Sequence, residues 1–304
     1  MIDKSVVCCL TVRDCARYLM KIFNNLDKLS KHFKNFHVVF VYDNCKDKTP
    51  LYLKLYQERS KDKFKVYVIH NQHNRHPIRT VRIANSRNIC LDIIYNYIKT
   101  VDFHIMIDAD DVNVNPWDIR IILSSLKRDD WDSISFNRKV YYDIWALLYG
   151  HIQHNCWGFS FKSKKIIHYM MNDIKNQLSK LKDYELFKCY SAFNGFAIYR
   201  TEKFKGIKYD GNINKYDMLV NNQNKISTLQ YLKNKLNDRN ITIGNFNRGS
   251  CEHLYYHLIA IRDKNVRIRI SKWSLNKKLN IGFSEDKYLN SKSSHTTNNK
   301  NISI

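Results

Sequence analysis

The chain has 304 residues, 44% of them hydrophobic, enough to bury the core of one large or two small domains. Eight glycines and three prolines exclude collagen-like and Pro/Gly-rich disordered classes, and no apolar window approaches the roughly 18 residues of a membrane span. The formal charge of +23, from 51 Lys plus Arg against 28 Asp plus Glu, has the sign of a phosphate binder. Its lysines, however, are spread along the chain (Lys54, Lys99, Lys139, Lys182, Lys235) amid a surplus of Asn, Ile and Tyr. An AT-rich coding sequence imposes that mix on any soluble surface, so charge alone assigns no partner.

Val6–Leu10 near the N-terminus is too short for a signal-peptide core, and no small-residue cleavage site follows it. The eight cysteines contain no C-x-x-C pair and several lie in apolar runs, which predicts reduced, buried thiols and a cytoplasmic location. In chain order, Ser5–Thr11 reads as a strand, and Tyr18, Ile22, Leu26 and Leu29 recur at helical spacing between Asp14 and Phe33. FHVVFVY (residues 36–42) is a strand apolar on both faces, as in a parallel sheet covered by helices. Thr49–Ser60 predicts a helix, with Thr49 as N-cap and Pro50 at its first position. Phe64–His70 is a third strand, Thr80–Lys99 a helix, and Phe103–Ile107 a fourth strand that ends in Asp108-Ala109-Asp110-Asp111.

The second half is less regular. A helix is expected from Pro116, a strand over Asp132–Asn137, a helix over Ser163–Leu181 and a strand-like stretch over Ser191–Tyr199 around Asn194-Gly195. After Phe283 the apolar pattern fades into a polar tail. The alternation predicts an open, mostly parallel α/β sheet flanked by helices, in which ligands bind beyond the carboxyl ends of the strands. Asp43–Thr49, Asp108-x-Asp110 and the segment carrying Arg79, Arg82, Arg87 and Asn88 should converge there. Carboxylates directly after an apolar strand suit a hard divalent cation, and arginines beside them suit the diphosphate such a cation would bridge. Asp111 is either another metal ligand or the cap of the following turn.

The order of DNCKDKT after strand two, IANSRN on a helix and IMIDADD after strand four resembles the GT-A glycosyltransferases, especially family-2-like nucleotide-sugar enzymes. YYDIWALL, SAFNGFAIYRTEKF and the segment around Cys251-Glu252-His253 resemble parts of fungal capsule-associated mannosyltransferases and of glycosyltransferases encoded by large DNA viruses, whose host cytoplasm would then be the compartment. The resemblance spans roughly residues 5–270. It implies a GT-A, Rossmann-like fold, with residues 1–130 as the nucleotide-sugar half, 131–283 as a less regular acceptor-binding half and 284–304 as a disordered tail. Asp43 would contact the base, with Thr11 and Arg13 near the nucleotide. Arg79, Arg87 and Asn88 would face the diphosphate or sugar, and Asp108 the ribose and sugar. Asp110 would bind Mn²⁺ or Mg²⁺ with Asp108, and His253 or His257, four apart on a helix, would add a ligand. The turn departs from the family in carrying Asn44-Cys45 where Gly-Ser is usual.

For the proton acceptor of an inverting transfer the candidates are Glu252 and Asp143. For the acceptor sugar they are Trp145, Trp157 and the Asn194-Gly195 loop. Each has a plain structural alternative: a helix-start carboxylate, packed histidines, core tryptophans, a strand bulge. The expected activity is a metal-dependent, hexosyltransferase-like transfer from a UDP- or GDP-linked sugar to a hydroxyl of a glycan or glycoprotein, with no stable nucleic-acid partner. A sugar-1-phosphate nucleotidyltransferase would want a glycine-rich phosphate loop where Thr11-Val12-Arg13-Asp14 stands. A nucleic-acid-binding module would show salt-sensitive oligonucleotide binding.

Overall fold

The computed structural model describes residues 1–72, 75–98, 100–159, 164–243 and 249–289, without the side chain of Trp157. The first half lays down β1 (Ile2–Val12), α1 (Ala16–Ser30), β2 (Phe33–Tyr42), α2 (Thr49–Ser60), β3 (Lys65–His70), α3 (Arg79–Tyr97), β4 (Phe103–Asp108) and α4 (Ile119–Leu126). The second half adds β5 (Ser133–Asn137), α5 (Lys164–Ser179), β6 (Leu186–Cys189), β7 (Phe196–Arg200), α6 (Ile213–Asp217), α7 (Asn222–Leu236), α8 (Glu252–Lys264), β8 (Ile268–Ser274) and α9 (Glu285–Leu289).

One eight-stranded sheet runs through both halves in the order β3-β2-β1-β4-β7-β5-β8-β6. The first four strands in this order are mutually parallel and β5 is parallel to β8. β7 runs antiparallel to β4 and β5, and β6 antiparallel to β8. This is the expected mostly parallel α/β sheet flanked by helices. Because side chains alternate along a strand, Val6, Cys8 and Leu10 enter a core with α1, α2 and α4, while Val7 and Cys9 enter another with α3, α5 and α8. A strand buried on both faces has no polar side, which is why β1 and β2 read as continuous apolar runs. On α1 the buried Leu19, Ile22, Phe23, Leu26 and Leu29 form one stripe, and Phe23 stacks on Tyr56 of α2 at 4.0 Å.

The register sets the site. Thr11 pairs with Asp108, and Val12 with Tyr42 just before Asp43, so the ends of β1, β2 and β4 share one edge.

Several elements differ from expectation. Thr49 is the first helical residue of α2 rather than its cap: Asp47 accepts from its N–H at 2.9 Å, and the Thr49 hydroxyl instead accepts from the Cys15 N–H at 2.8 Å. Pro116 precedes α4, whose N-cap position is Asp118. Ser191–Tyr199 is not one strand. Phe196 N–H donates to Phe193 C=O across a tight turn with Asn194 (φ 54°) and Gly195 (φ 79°) at its centre, and β7 begins after it. Asn-Gly is what a turn with two positive φ angles selects. Beyond Phe283, α9 folds back with Tyr288 buried and its hydroxyl 3.0 Å from that of Ser125. Ser163, the expected start of α5, and residues 290–304 of the expected tail lie outside the described residues.

Candidate functional site

Beyond the carboxyl ends of β1, β2 and β4 lies a crevice of about 500 Å³. Its acids are Asp43, Asp108 and Asp110, its cations Arg13, Arg79, Arg82 and Arg87, and Thr11 and Ser86 complete its polar lining. The strand ends supply the acids, and α3 supplies three of the four arginines from successive turns of one face. Asp43 is nearly buried, accepts from the Asn44 N–H at 2.7 Å, and lies 3.7 Å from Arg13. Asn88, next to Arg87 in sequence, leaves the crevice: neighbours on a helix point about 100° apart. Its amide donates to Tyr209 C=O and accepts from Tyr209 N–H.

Arg87 is the pivot. Its side chain is buried, with Nη2 3.1 Å from Asp108 Oδ1 and Nη1 2.7 Å from Glu252 Oε1. The second contact is Coulombic rather than a directed hydrogen bond, since Nη1 has no aligned acceptor among the described residues. The guanidinium sits 4.6 Å from the Phe193 ring centroid and 5.7 Å from that of Tyr209. Burial pulls its pKa down, but Glu252 and Asp108 more than reverse this and hold it above the ordinary arginine value.

The loop after β4 is held by a second set of contacts that the sequence did not reveal. Asp108 N–H donates to Gly195 C=O at 2.9 Å, and the Asn113 amide donates to the carbonyls of both Asp108 and Gly195. Arg138 donates to Val112 C=O, to the Asn113 side-chain oxygen and to Asn194 C=O. Tyr142 donates its hydroxyl to Asp108 Oδ2 at 3.1 Å. These partners come from three separate segments, so no local motif marks them. Asp110, not Asp111, caps the short turn 111–113, accepting from Val112 N–H at 3.3 Å, and Asp111 is the first residue of that turn. Burial first, and then the charge of Asp108, push the Asp110 carboxyl up to about 6.

The remaining candidates are spread around this centre. Glu252 opens α8, buried and ion-paired with Arg87. Asp143 is buried and accepts backbone N–H bonds from Ala146 and Asn194. Burial, followed by the charge of Asp108, moves its pKa up to about 7. His257 has both ring nitrogens engaged, by Ser191 and Tyr199, and burial lowers its pKa to about 3. His253 contacts Tyr199 through Nδ1 and stacks on Phe193 at 3.8 Å, its buried Nε2 without a hydrogen-bond partner among the described residues. Trp145 packs on the core, Asn194 is buried, and the Trp157 side chain lies outside the described residues.

Asp108 and Asp110, two carboxylates at the lip of a crevice lined with arginines, are a donor set that fits a hard divalent cation: all-oxygen, net negative and incomplete without further oxygens. Among the described residues, the grouping of three potential ligands within 4.8 Å of one another is Asp14, Cys45 and Asp47, not Asp108, Asp110 and the two histidines. Asp14 is committed to the Lys46 N–H, and Asp47 to the N–H groups of Ala16 and Thr49. The histidines are buried, turned to Tyr199 and not grouped with Asp108 and Asp110.

No protein-family model matches the chain, and no curated protein matches it. Solved structures with a similar fold include S. aureus TarS in complex with UDP-GlcNAc, at 13% identity over 88% of this chain and 56% of that one, TM-score 0.44. The mannosyltransferase PcManGT from Pyrobaculum calidifontis, in complex with GDP-Man and Mn²⁺, is 13% identical over 69% and 48%, TM-score 0.38. Glucosyl-3-phosphoglycerate synthase from Mycobacterium tuberculosis in complex with UDP is 9% identical over 77% and 68%, TM-score 0.37. The likeness is remote, and the chain spans 58% of the 1–349 form of TarS. No helix among the described residues is long and apolar enough to cross a membrane.

Proposed function

We propose that the chain transfers a hexose from a nucleoside-diphosphate sugar to an acceptor hydroxyl on a glycan or glycoprotein, in a GT-A-type fold with Mn²⁺ or Mg²⁺ held by Asp108 and Asp110. The observation that carries this reading is the crevice itself, where three strand-end carboxylates meet four arginines. A nucleoside diphosphate needs cations for its phosphates and a polar acceptor for its base, and Arg13, Arg79, Arg82 and Asp43 offer both. A bound cation would neutralise charge on the leaving diphosphate. Arg87, held rigid between two rings and two carboxylates, would orient Asp108 toward the donor. The acceptor oxygen bonds to the anomeric carbon while the bond from that carbon to the diphosphate oxygen breaks, its electron pair leaving on the diphosphate. The hydroxyl proton goes to a carboxylate. We assign this to Glu252, which opens α8 beside Arg87. Glu252 is joined to the site through the guanidinium that also touches Asp108.

The test is calorimetric titration with UDP, GDP and their sugars, with and without Mn²⁺. One nucleotide family should bind in a Mn²⁺-dependent way, and Asp110→Ala should abolish the Mn²⁺ dependence and sugar release while leaving the thermal transition in place. Unimpaired turnover of Asp110→Ala in EDTA would overturn the metal role. Salt-sensitive oligonucleotide binding with no nucleotide binding would overturn the transferase reading.

A further inference from the structure

The loop after β4 separates two cavities. The crevice takes Asp108, Ala109 and Asp110 from it; a second cavity of about 290 Å³ takes Asp111 and Val112. Tyr142 joins them, lining the second cavity while its hydroxyl donates to Asp108. A sugar anchored at Asp108 would therefore have the nucleotide on one side and this second cavity on the other.

The lining has a definite chemistry. Trp117 and Leu279 give it apolar walls, and 290 Å³ is near the lower end of small-ligand sites, the scale of one sugar ring. Arg138 is fixed in the wall by hydrogen bonds to three neutral oxygens, and it sits in the field of Asp108, Asp110 and Asp143 without a direct ion pair to them among the described residues. Lys139, exposed, lines the same cavity, and the turn that supplies Asn276 and Leu279 carries the exposed Lys277 and Lys278. Among the described residues, Asp111 is the one acid in the lining. Trp117 is largely buried, and its indole N–H has no acceptor among the described residues. That nitrogen is shielded from the cavity, so Trp117 contributes its ring to the wall and not a donor.

We propose that this second cavity is the acceptor subsite, and that it takes a single hydroxylated ring carrying an anionic group, a phosphate or a carboxylate. The inference rests on the transferase reading for its role; the site and its ligand chemistry rest on the cavity. The ring packs on Trp117 and Leu279, and the anion faces Arg138 and Lys139. Of the residues that sequence alone offered for the acceptor, Trp145, Asn194 and Gly195 do not line it, and the Trp157 side chain lies outside the described residues.

The experiment is calorimetric titration of the full chain, first loaded with nucleoside diphosphate and Mn²⁺ to fill the crevice, with glucose 6-phosphate, glucuronate and glucose as probes. At least one anionic sugar should bind about tenfold or more tighter than glucose. Lys139→Glu/Lys277→Glu, a change of exposed residues, should weaken that binding about tenfold while leaving nucleotide–Mn²⁺ affinity unchanged. The phosphate and carboxylate arms identify the anion. Equal binding of glucose would overturn the anionic chemistry. Anionic-sugar binding unaffected by the double variant, or absent, would overturn the site. Failure of nucleotide and Mn²⁺ to load overturns the transferase reading instead, and the same titrations on the unloaded chain then still decide whether the cavity binds anionic sugars.

Discussion

Arg87 is the residue whose removal separates a structural role from a donor-binding one. Truncation to alanine strands Glu252, whose side chain is 5% exposed, next to an empty space between Phe193 and Tyr209, and releases Asp108. Breaking a buried ion pair on one side costs about 3–5 kcal/mol, mostly the penalty of the charge left behind. Asp108, 27% exposed on its side chain, recovers water and adds little. Arg87→Ala should therefore lower stability by about 3–5 kcal/mol, a large fraction of the total for a domain of this kind. Since the stranded charge carries most of that cost, Arg87→Ala/Glu252→Gln should recover roughly half of it. Urea unfolding of wild type, both single variants and the double variant closes the cycle. If Arg87→Ala costs less than about 1 kcal/mol, or if the double variant is as unstable as the single costs summed, the buried pivot is wrong and Arg87 acts only on the ligand.

Two other perturbations probe the loop and the buried acid. Gly195→Ala forces a Cβ to within 2.4 Å of the Tyr142 hydroxyl at a φ of 79°. It should lower the melting temperature and weaken Mn²⁺-dependent nucleotide binding by displacing Tyr142 from Asp108; unchanged affinity would refute the link between the turn and Asp108. Asp143 holds its proton to about 7 in the folded chain against an ordinary 3.8. A raised carboxyl contributes stability that is complete below its unfolded value and lost as pH rises through the folded one, here about 2–3 kcal/mol between pH 5 and pH 8. Asp143→Asn should remove that slope, shifting the stability difference from wild type in favour of Asn at pH 8; parallel stability curves from pH 5 to pH 8 would refute it.

The first half was legible because its signals are local. β1, β2 and β4 are apolar on both faces, α1 has one clean stripe, and the acids that follow β2 and β4 interrupt apolar runs abruptly. The second half hides its elements for physical reasons. β6 is a four-residue edge strand only partly buried. α8 buries Glu252, His253 and His257 together with Leu254, Tyr256 and Leu258, so polar residues occupy its core face and the helical period disappears. At the site, Arg87 was legible and its neighbour Asn88 misleading, because adjacency in sequence is divergence on a helix. Asn113, Arg138 and Tyr142 were invisible, since each acts only after β4, β5 and the Asn194-Gly195 turn come together.

The charge of +23 and the acids at the strand ends then act at different distances. Arg87 and Arg138 are committed, one to Glu252 and Asp108, the other to loop oxygens, and neither lies close enough to spare Asp110 a pKa of about 6. Asp110 thus has no ion-pair partner among the described residues, although four arginines line the crevice. On the proposed reading, the distant lysines would raise the encounter rate of an anionic nucleotide, an effect that salt screens over about 8–10 Å. The bound state would then need a cation at Asp108 and Asp110. Raising ionic strength should therefore slow nucleotide association much more than it speeds dissociation, whereas chelation should act mainly on dissociation; stopped-flow traces in which salt and EDTA change the same rate constant would contradict this division of labour.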